Sequence, residues 1–196
     1  NIVCWGDSLT SGSGGNGTSF PFVLKYLTGS LYEITNLGVG GENTSTIAGR
    51  QGGIPFVVDE FTIPNNTISV EISISGKDGN TVRPALQGTK GLNPCSIDGI
   101  EGNITYENSK YYFTRMVSGE SIEVTKETEI ITSGMEKYRD ADILIIWTGQ
   151  NDGATTSNIS NIIEKQKKMV EYSNTENYLV ISLLYAGDEV NNAMAE

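Results

Sequence analysis

Ser8 follows the apolar run Ile2-Val3-Cys4-Trp5 in the segment Gly6-Asp7-Ser8-Leu9-Thr10, ahead of a glycine- and serine-rich loop through Gly17. A hydroxyl there can be exposed and can sit near a helix N-terminus, where developing negative charge is stabilised. Gly41 lies in Gly38-Val39-Gly40-Gly41-Glu42-Asn43-Thr44, again directly after a strand-like segment. Without a Cβ its N–H can approach a substrate oxygen closely. Asn151 lies in Gly149-Gln150-Asn151-Asp152, after the apolar run Ile143-Leu144-Ile145-Ile146-Trp147. Its carboxamide is a donor of the kind that stabilises an oxyanion. Taken singly, Ser8 reads as a cap or turn serine, Gly41 as a turn glycine and Asn151 as a turn or capping residue. Their joint placement at three strand ends carries more than any one of them.

The elements that must position these residues follow from periodicity. Ile2–Trp5, Tyr32–Leu37, Ile143–Trp147 and Tyr178–Leu184 read as buried strands. Phe20, Val23, Leu24 and Leu27 recur at helical spacing before Gly29, and a short helix follows the second strand up to about Gly49. Met135–Asp140 reads as a helix end. Thr155-Thr156-Ser157-Asn158 can cap a helix whose apolar face is Ile159, Ile162, Ile163, Met169 and Val170, with Lys165, Lys167 and Lys168 on the solvated side. Asp188–Glu196 reads as the start of a further helix. Strands alternating with helices imply parallel pairing with right-handed crossovers. Between them, residues 52–134 have a different texture. Ile68, Val70, Ile72 and Ile74 alternate with polar residues, Asp78-Gly79-Asn80 is a turn signal, and Ile104–Glu107 with Lys110–Met116 flank Asn108-Ser109 like hairpin arms. The expected fold class is therefore α/β: a three-layer, flavodoxin-like doubly wound parallel sheet formed by residues 1–51 and 135–196, interrupted by an all-β insertion over 52–134. In such a sheet ligands gather beyond the carboxyl ends of the strands, where all three polar segments lie.

In order and content the three segments resemble the conserved blocks of the SGNH (GDSL-type) hydrolases. Gly6-Asp7-Ser8-Leu9 is similar to the first block, with Ser8 in the nucleophile's place. Asn36 to Thr44 is similar to the second, with Gly41 as the oxyanion glycine, and Gly149-Gln150-Asn151-Asp152 to the third, with Asn151 as the oxyanion amide. The resemblance implies a serine ester hydrolase: an esterase, a carbohydrate O-acetyl esterase or a lipase-like enzyme. Ser8, Gly41 and Asn151 would be its catalytic and oxyanion-hole residues, its substrate a small-molecule or carbohydrate ester, and it would need no cofactor. The family's fourth block, an Asp-x-x-His that supplies the base, has no counterpart, because the chain contains no histidine. The expectation drawn from this, and from four recognisable strands where the family has five, is that the chain stops before the last strand and catalytic loop. Asn1 in place of an initiating methionine is likewise the mark of a removed leader or a trimmed start, so the compartment is not read from this end.

The remaining features bound the function. Thirteen basic against 24 acidic residues give a net charge of -11, which argues against a nucleic-acid binder and against adhesion to anionic membranes. No stretch reaches the ~20 apolar residues of a membrane span. Cys4 and Cys95 form no disulfide framework, Cys4 reads as a small buried residue, and two cysteines without histidine give zinc almost no ligands. Gly12-Ser13-Gly14-Gly15-Asn16-Gly17 fits a dinucleotide fingerprint in letters, but six residues separate it from Trp5, whereas the true fingerprint starts at the strand end. Asp140 with Asp142, and Asp188 with Glu189, read as solvated surface. Tyr106, Tyr111, Tyr112 and Phe113 could stack on a sugar, although alternating aromatics also serve as hairpin core and cross-strand pairs. The β block enters between the second and third segments, which suggests a lid or substrate-selecting wall. The competing reading of the whole chain is a catalytically inactive carbohydrate-binding or interaction module, favoured by the absence of histidine.

Overall fold

The computed structural model describes residues 1–29, 31–84, 86, 90–153, 155 and 157–184. A four-stranded sheet holds β1 (Ile2–Gly6), β2 (Ile34–Gly38), β12 (Ile143–Trp147) and β13 (Tyr178–Val180), in the order β13-β12-β1-β2. All of its pairings are parallel. β1 is buried along its whole length because alternate residues feed two separate cores. Val3 and Trp5 pack with Leu37, Ile47, Ala48, Leu144, Ile146 and Met169. Ile2 and Cys4 pack with Ile145, Phe20 and Leu24.

Helix α1 (Ser8–Ser11) follows β1, and α2 (Phe20–Thr28) is capped by Ser19, whose hydroxyl accepts from the Phe22 N–H. Phe20 and Leu24 of α2 meet the sheet, whereas Val23 and Leu27 are exposed. On the other face, α3 (Thr44–Gln51) is buried along its whole length and packs against α5 (Ile159–Tyr172). Lys165 departs from its expected solvated place. It is buried, and its Nζ donates to Ser45 Oγ of α3 at 2.6 Å. Helix α4 spans Ser133–Lys137, earlier than the expected Met135–Asp140. The strand expected over Tyr178–Leu184 is shorter, and all three residues of β13 are exposed. The expected helix over Asp188–Glu196 lies outside the described residues, as does Thr156 of the expected cap. Asn158 is the α5 N-cap, but its side chain instead accepts from the Thr155 N–H at 2.7 Å.

The larger part of the strand content lies elsewhere. Seven strands form one antiparallel sheet: β3 (Phe56–Val58), β5 (Val70–Ile72), β6 (Ile74–Gly76), β7 (Cys95–Ile97), β8 (Ile100–Glu107), β9 (Lys110–Arg115) and β11 (Thr128–Thr132). Their order is β5-β9-β8-β7-β11-β3-β6. The edge strands β5 and β6 are separated only by Ser73, so the sheet rolls into a nearly closed barrel. The expected single strand through Ile68–Ile74 is thus two strands that belong to opposite edges. β4 (Phe61–Ile63) and β10 (Ile122–Val124) pair beside the barrel. The barrel encloses Phe56, Ile72, Leu92, Ile97, Ile104, Phe113 and Ile130. The hairpin β8–β9 turns at Asn108 and Ser109, both left-handed (φ 50 and 63), which is the backbone that a two-residue hairpin loop with native twist requires.

The expected three-layer, flavodoxin-like parallel fold is therefore corrected. The described residues are β-rich, 32% strand and 23% helix, and the largest sheet among them is the antiparallel barrel. The reason lies in range of order. Helical period and apolar runs at the two ends are local and conspicuous, whereas the barrel is built from three- to eight-residue strands whose pairings span long sequence separations. One such pairing sets Ile97 opposite Ile130.

Candidate functional site

β1, β2 and β12 end side by side, with Gly6 opposite both Gly38 and Trp147. The three segments that leave those ends therefore emerge at one edge of the parallel sheet. Ser8 is the first residue of α1 and is half-buried. Asp7 caps this turn, its Oδ1 accepting the Leu9 N–H at 2.9 Å. The turn fits against the strand ends because two residues lack side chains. A Cβ on Gly6 would stand 2.0 Å from Thr10 Oγ1, and one on Gly38 would stand 2.3 Å from the Ser11 nitrogen. Asn36 of β2 completes the anchorage: its Nδ2 donates to the Thr10 carbonyl at 2.9 Å and its Oδ1 accepts from the Gly38 N–H at 2.9 Å. No hydrogen bond occupies Ser8 Oγ among the described residues.

Gly41 is exposed and has φ +79, a backbone that side-chain-bearing residues rarely adopt. Beyond it, Asn43 caps α3 and Glu42 turns inward, 4% exposed. Asn151 is exposed, and its Nδ2 donates to the Glu42 carbonyl at 3.0 Å. Beside it, Asp152 Oδ2 accepts from both the N–H and the hydroxyl of Thr44, each at 2.9 Å. Two adjacent contacts thus tie the segment after β12 to the segment after β2. Gly41 and Asn151 are brought together through Glu42, while Ser8 stands on the middle strand's segment between them.

No family model, no curated protein and no solved structure matches this chain.

The electrostatics of the edge are set by three carboxylates and one buried guanidinium. Burial pushes the Asp7 carboxyl above its ordinary value, and the neighbouring Asp152 adds to this against the pull of the Leu9 N–H. Asp7 Oδ2 has no hydrogen-bond partner among the described residues. Burial likewise raises Glu42, opposed by its ion pair with Arg50, whose Nη2 lies 2.6 Å from Glu42 Oε2. Arg50 is fully buried and lies over the Trp5 ring, 5.2 Å from its centroid. Sequence reasoning passed over Arg50, Asn36, Thr44 and the clasp formed by Glu42. Nothing in the eight-residue spacing from Glu42 to Arg50 announces an ion pair, since it spans a cap and a helix.

Other sequence candidates do not join the site. Phe113 is barrel core, and Tyr106 faces Tyr111 across the hairpin with ring centroids 4.7 Å apart. The Tyr111 phenol is pushed up to about 12 by burial and has no hydrogen-bond partner among the described residues. Gly12 closes α1 in the left-handed conformation, so the glycine-rich stretch serves as a helix stop and loop. Cys4 and Cys95 are free, buried thiols, both pushed up to about 12 by burial. Among the described residues no group of three or more Cys, Asp or Glu side chains could hold a metal ion, and no helix is long and apolar enough to cross a membrane.

Proposed function

We propose that this protein is a serine ester hydrolase of the kind its SGNH-like segments imply, acting on a small-molecule or carbohydrate ester. The observation that carries the reading is the Asn151–Glu42 hydrogen bond. It sets a carboxamide beside the Gly41 turn, at the sheet edge from which Ser8 emerges. One amide N–H of Asn151 is engaged by the Glu42 carbonyl, leaving the second free for a substrate oxygen.

Ser8 Oγ attacks the ester carbonyl carbon and its proton passes to solvent water. The carbonyl π electrons move onto oxygen, where the N–H groups of Ser8 and Gly41 and the Asn151 amide receive the charge. Collapse of the tetrahedral species expels the alcohol, and water then releases the acyl group. The chain has no histidine to take the Ser8 proton. The basal rate from these residues alone is accordingly that of an oxyanion hole without its base, on the order of 10³–10⁴ over water. Hydrolysis of a short-chain aryl ester by the chain and by Ser8→Ala tests the proposal. Because that residual rate needs no nucleophile, the deciding readout is an acyl group on Ser8 detected by mass spectrometry, present in the chain and absent from the variant; no such adduct in the chain removes Ser8 as nucleophile. The absence of histidine favours one other reading, an inactive carbohydrate-binding module. Ser8-independent binding of unesterified sugars, with no ester turnover, would establish it.

A further inference from the structure

We propose that Arg50 is a positioning residue for the oxyanion pocket, through which the β-rich block reaches the reacting centre; this rests on the ester-hydrolase reading. An oxyanion donor on a glycine has a difficulty built into it. The dihedral freedom that lets Gly41 adopt φ +79 also leaves its N–H unable to hold its own direction. Something outside Gly41 must fix the turn, and the next residue does so. Glu42 faces two ways: its carbonyl receives the Asn151 amide, and its carboxylate is gripped from within by Arg50. Two of the three expected donors are therefore registered against one residue, and that residue is registered by one guanidinium.

Arg50 is suited to the task by its fork. Nε donates to Glu42 Oε2 at 2.8 Å, Nη2 approaches the same oxygen at 2.6 Å and the Leu37 carbonyl at 3.1 Å, and Nη1 donates to the Lys90 carbonyl. These acceptors belong to the oxyanion turn, to β2 and to the segment leading into β7 of the barrel. The strand paired with β7 grips the same residue, because the Thr132 hydroxyl at the end of β11, opposite Cys95, donates to the Arg50 carbonyl at 2.7 Å. Gly134 permits the approach: a Cβ there would stand 2.3 Å from the Arg50 oxygen and 2.6 Å from the Trp5 ring. Both the entry to β7 and the exit from β11 thus converge on the residue that holds Glu42. A lysine in its place is a point charge without the planar fork, and it cannot serve Glu42, Leu37 and Lys90 together.

The test is the binding of a short alkyl boronic acid to the chain. Boron takes Ser8 Oγ as a fourth ligand, the serine proton passes to solvent, and the resulting boronate anion occupies the oxyanion position. Affinity is measured by boron NMR and calorimetry, beside kcat and KM for an aryl ester. Arg50→Lys is expected to lower boronate affinity and kcat together by about 10–100-fold, less than deleting a donor outright. KM should stay within about twofold, as befits an interaction made in the transition state. A folded Arg50→Lys protein with wild-type boronate affinity overturns the proposal. If Arg50→Lys does not fold, Thr132→Val decides, read on protein shown folded by circular dichroism, because the hydroxyl that bonds the Arg50 carbonyl also caps α4 at the Met135 N–H. About a threefold or greater loss of boronate affinity supports the proposal, in line with the sensitivity of catalysis to small misplacements, and wild-type affinity overturns it. Boronate binding that survives Ser8→Ala would instead bring down the ester-hydrolase reading itself, so the two failures are separable.

Discussion

Asn151→Ala separates catalytic from structural loss by a wide margin. The Asn151 side chain is exposed and makes one hydrogen bond among the described residues, to the Glu42 carbonyl at 3.0 Å. Its removal opens no cavity, and the lost bond is worth about 0.5–1.5 kcal/mol of stability at most. In the proposed reaction the same amide receives developing charge, and loss of such a donor costs about 10²–10³ in turnover, or about 2.7–4 kcal/mol. Melting should therefore barely move while turnover falls two to three decades. Asn151→Asp should fall further, because a carboxylate there confronts the Glu42 carbonyl, the neighbouring Asp152 and the oxyanion at once. The assay is steady-state hydrolysis of an activated aryl ester, with circular dichroism to count the folded fraction. A loss confined to KM, or a loss of kcat that follows the folded fraction, refutes the oxyanion role of Asn151.

Two predictions concern buried groups. Because burial raises the Asp7 carboxyl above its ordinary 3.8, its proton is held more tightly in the folded chain than in the unfolded one. Asp7 therefore favours folding at low pH, and that contribution is lost as pH rises through the raised value. Asp7→Asn keeps a cap acceptor and removes this loss, so urea denaturation of the variant should show a shallower fall in stability from acid to neutral pH; parallel curves would count against it. Cys4 and Cys95, buried with thiols near 12, should resist alkylation at pH 8 in the native chain and take two labels after unfolding, as read by mass spectrometry. Rapid native labelling of either would contradict the burial.

What local pattern encodes was legible in the sequence. The apolar runs Ile2–Trp5 and Ile143–Trp147 are strands, and the Asn108-Ser109 turn closes a hairpin. The three polar segments leave the sheet at one edge, because parallel strands in register end together. What depends on distant partners was not legible. Ser73 marks the boundary between the two edges of a barrel, yet the alternation through Ile68–Ile74 continues across it unbroken. Lys165 sits among lysines on a polar stripe, and only the approach of α3 turns it inward toward Ser45. β13 has the composition of a buried strand, but burial is conferred by neighbours, and Tyr178, Leu179 and Val180 are exposed. The weight given to the α/β ends over the barrel was the same error on the scale of the whole fold.

The charges at the sheet edge bear on whether an oxyanion could form there at all. Asp7, Glu42 and Asp152 crowd the place where negative charge would develop, and bare carboxylates so close would oppose it. Each is offset by different means. Burial drives Asp7 toward its neutral form, Arg50 pairs with Glu42, and Asp152 is bonded by the N–H and hydroxyl of Thr44. These acids can therefore shape the three segments without setting a full negative field against the reaction. Of the three offsets, only the one at Glu42 relies on a cation. On the proposed reading, the guanidinium that orients the Gly41 turn also offsets the Glu42 charge that would repel the oxyanion. Orientation and field consequently depend on one side chain, and a neutral replacement at Arg50 should be worse for turnover than lysine, which forfeits the fork but keeps the charge.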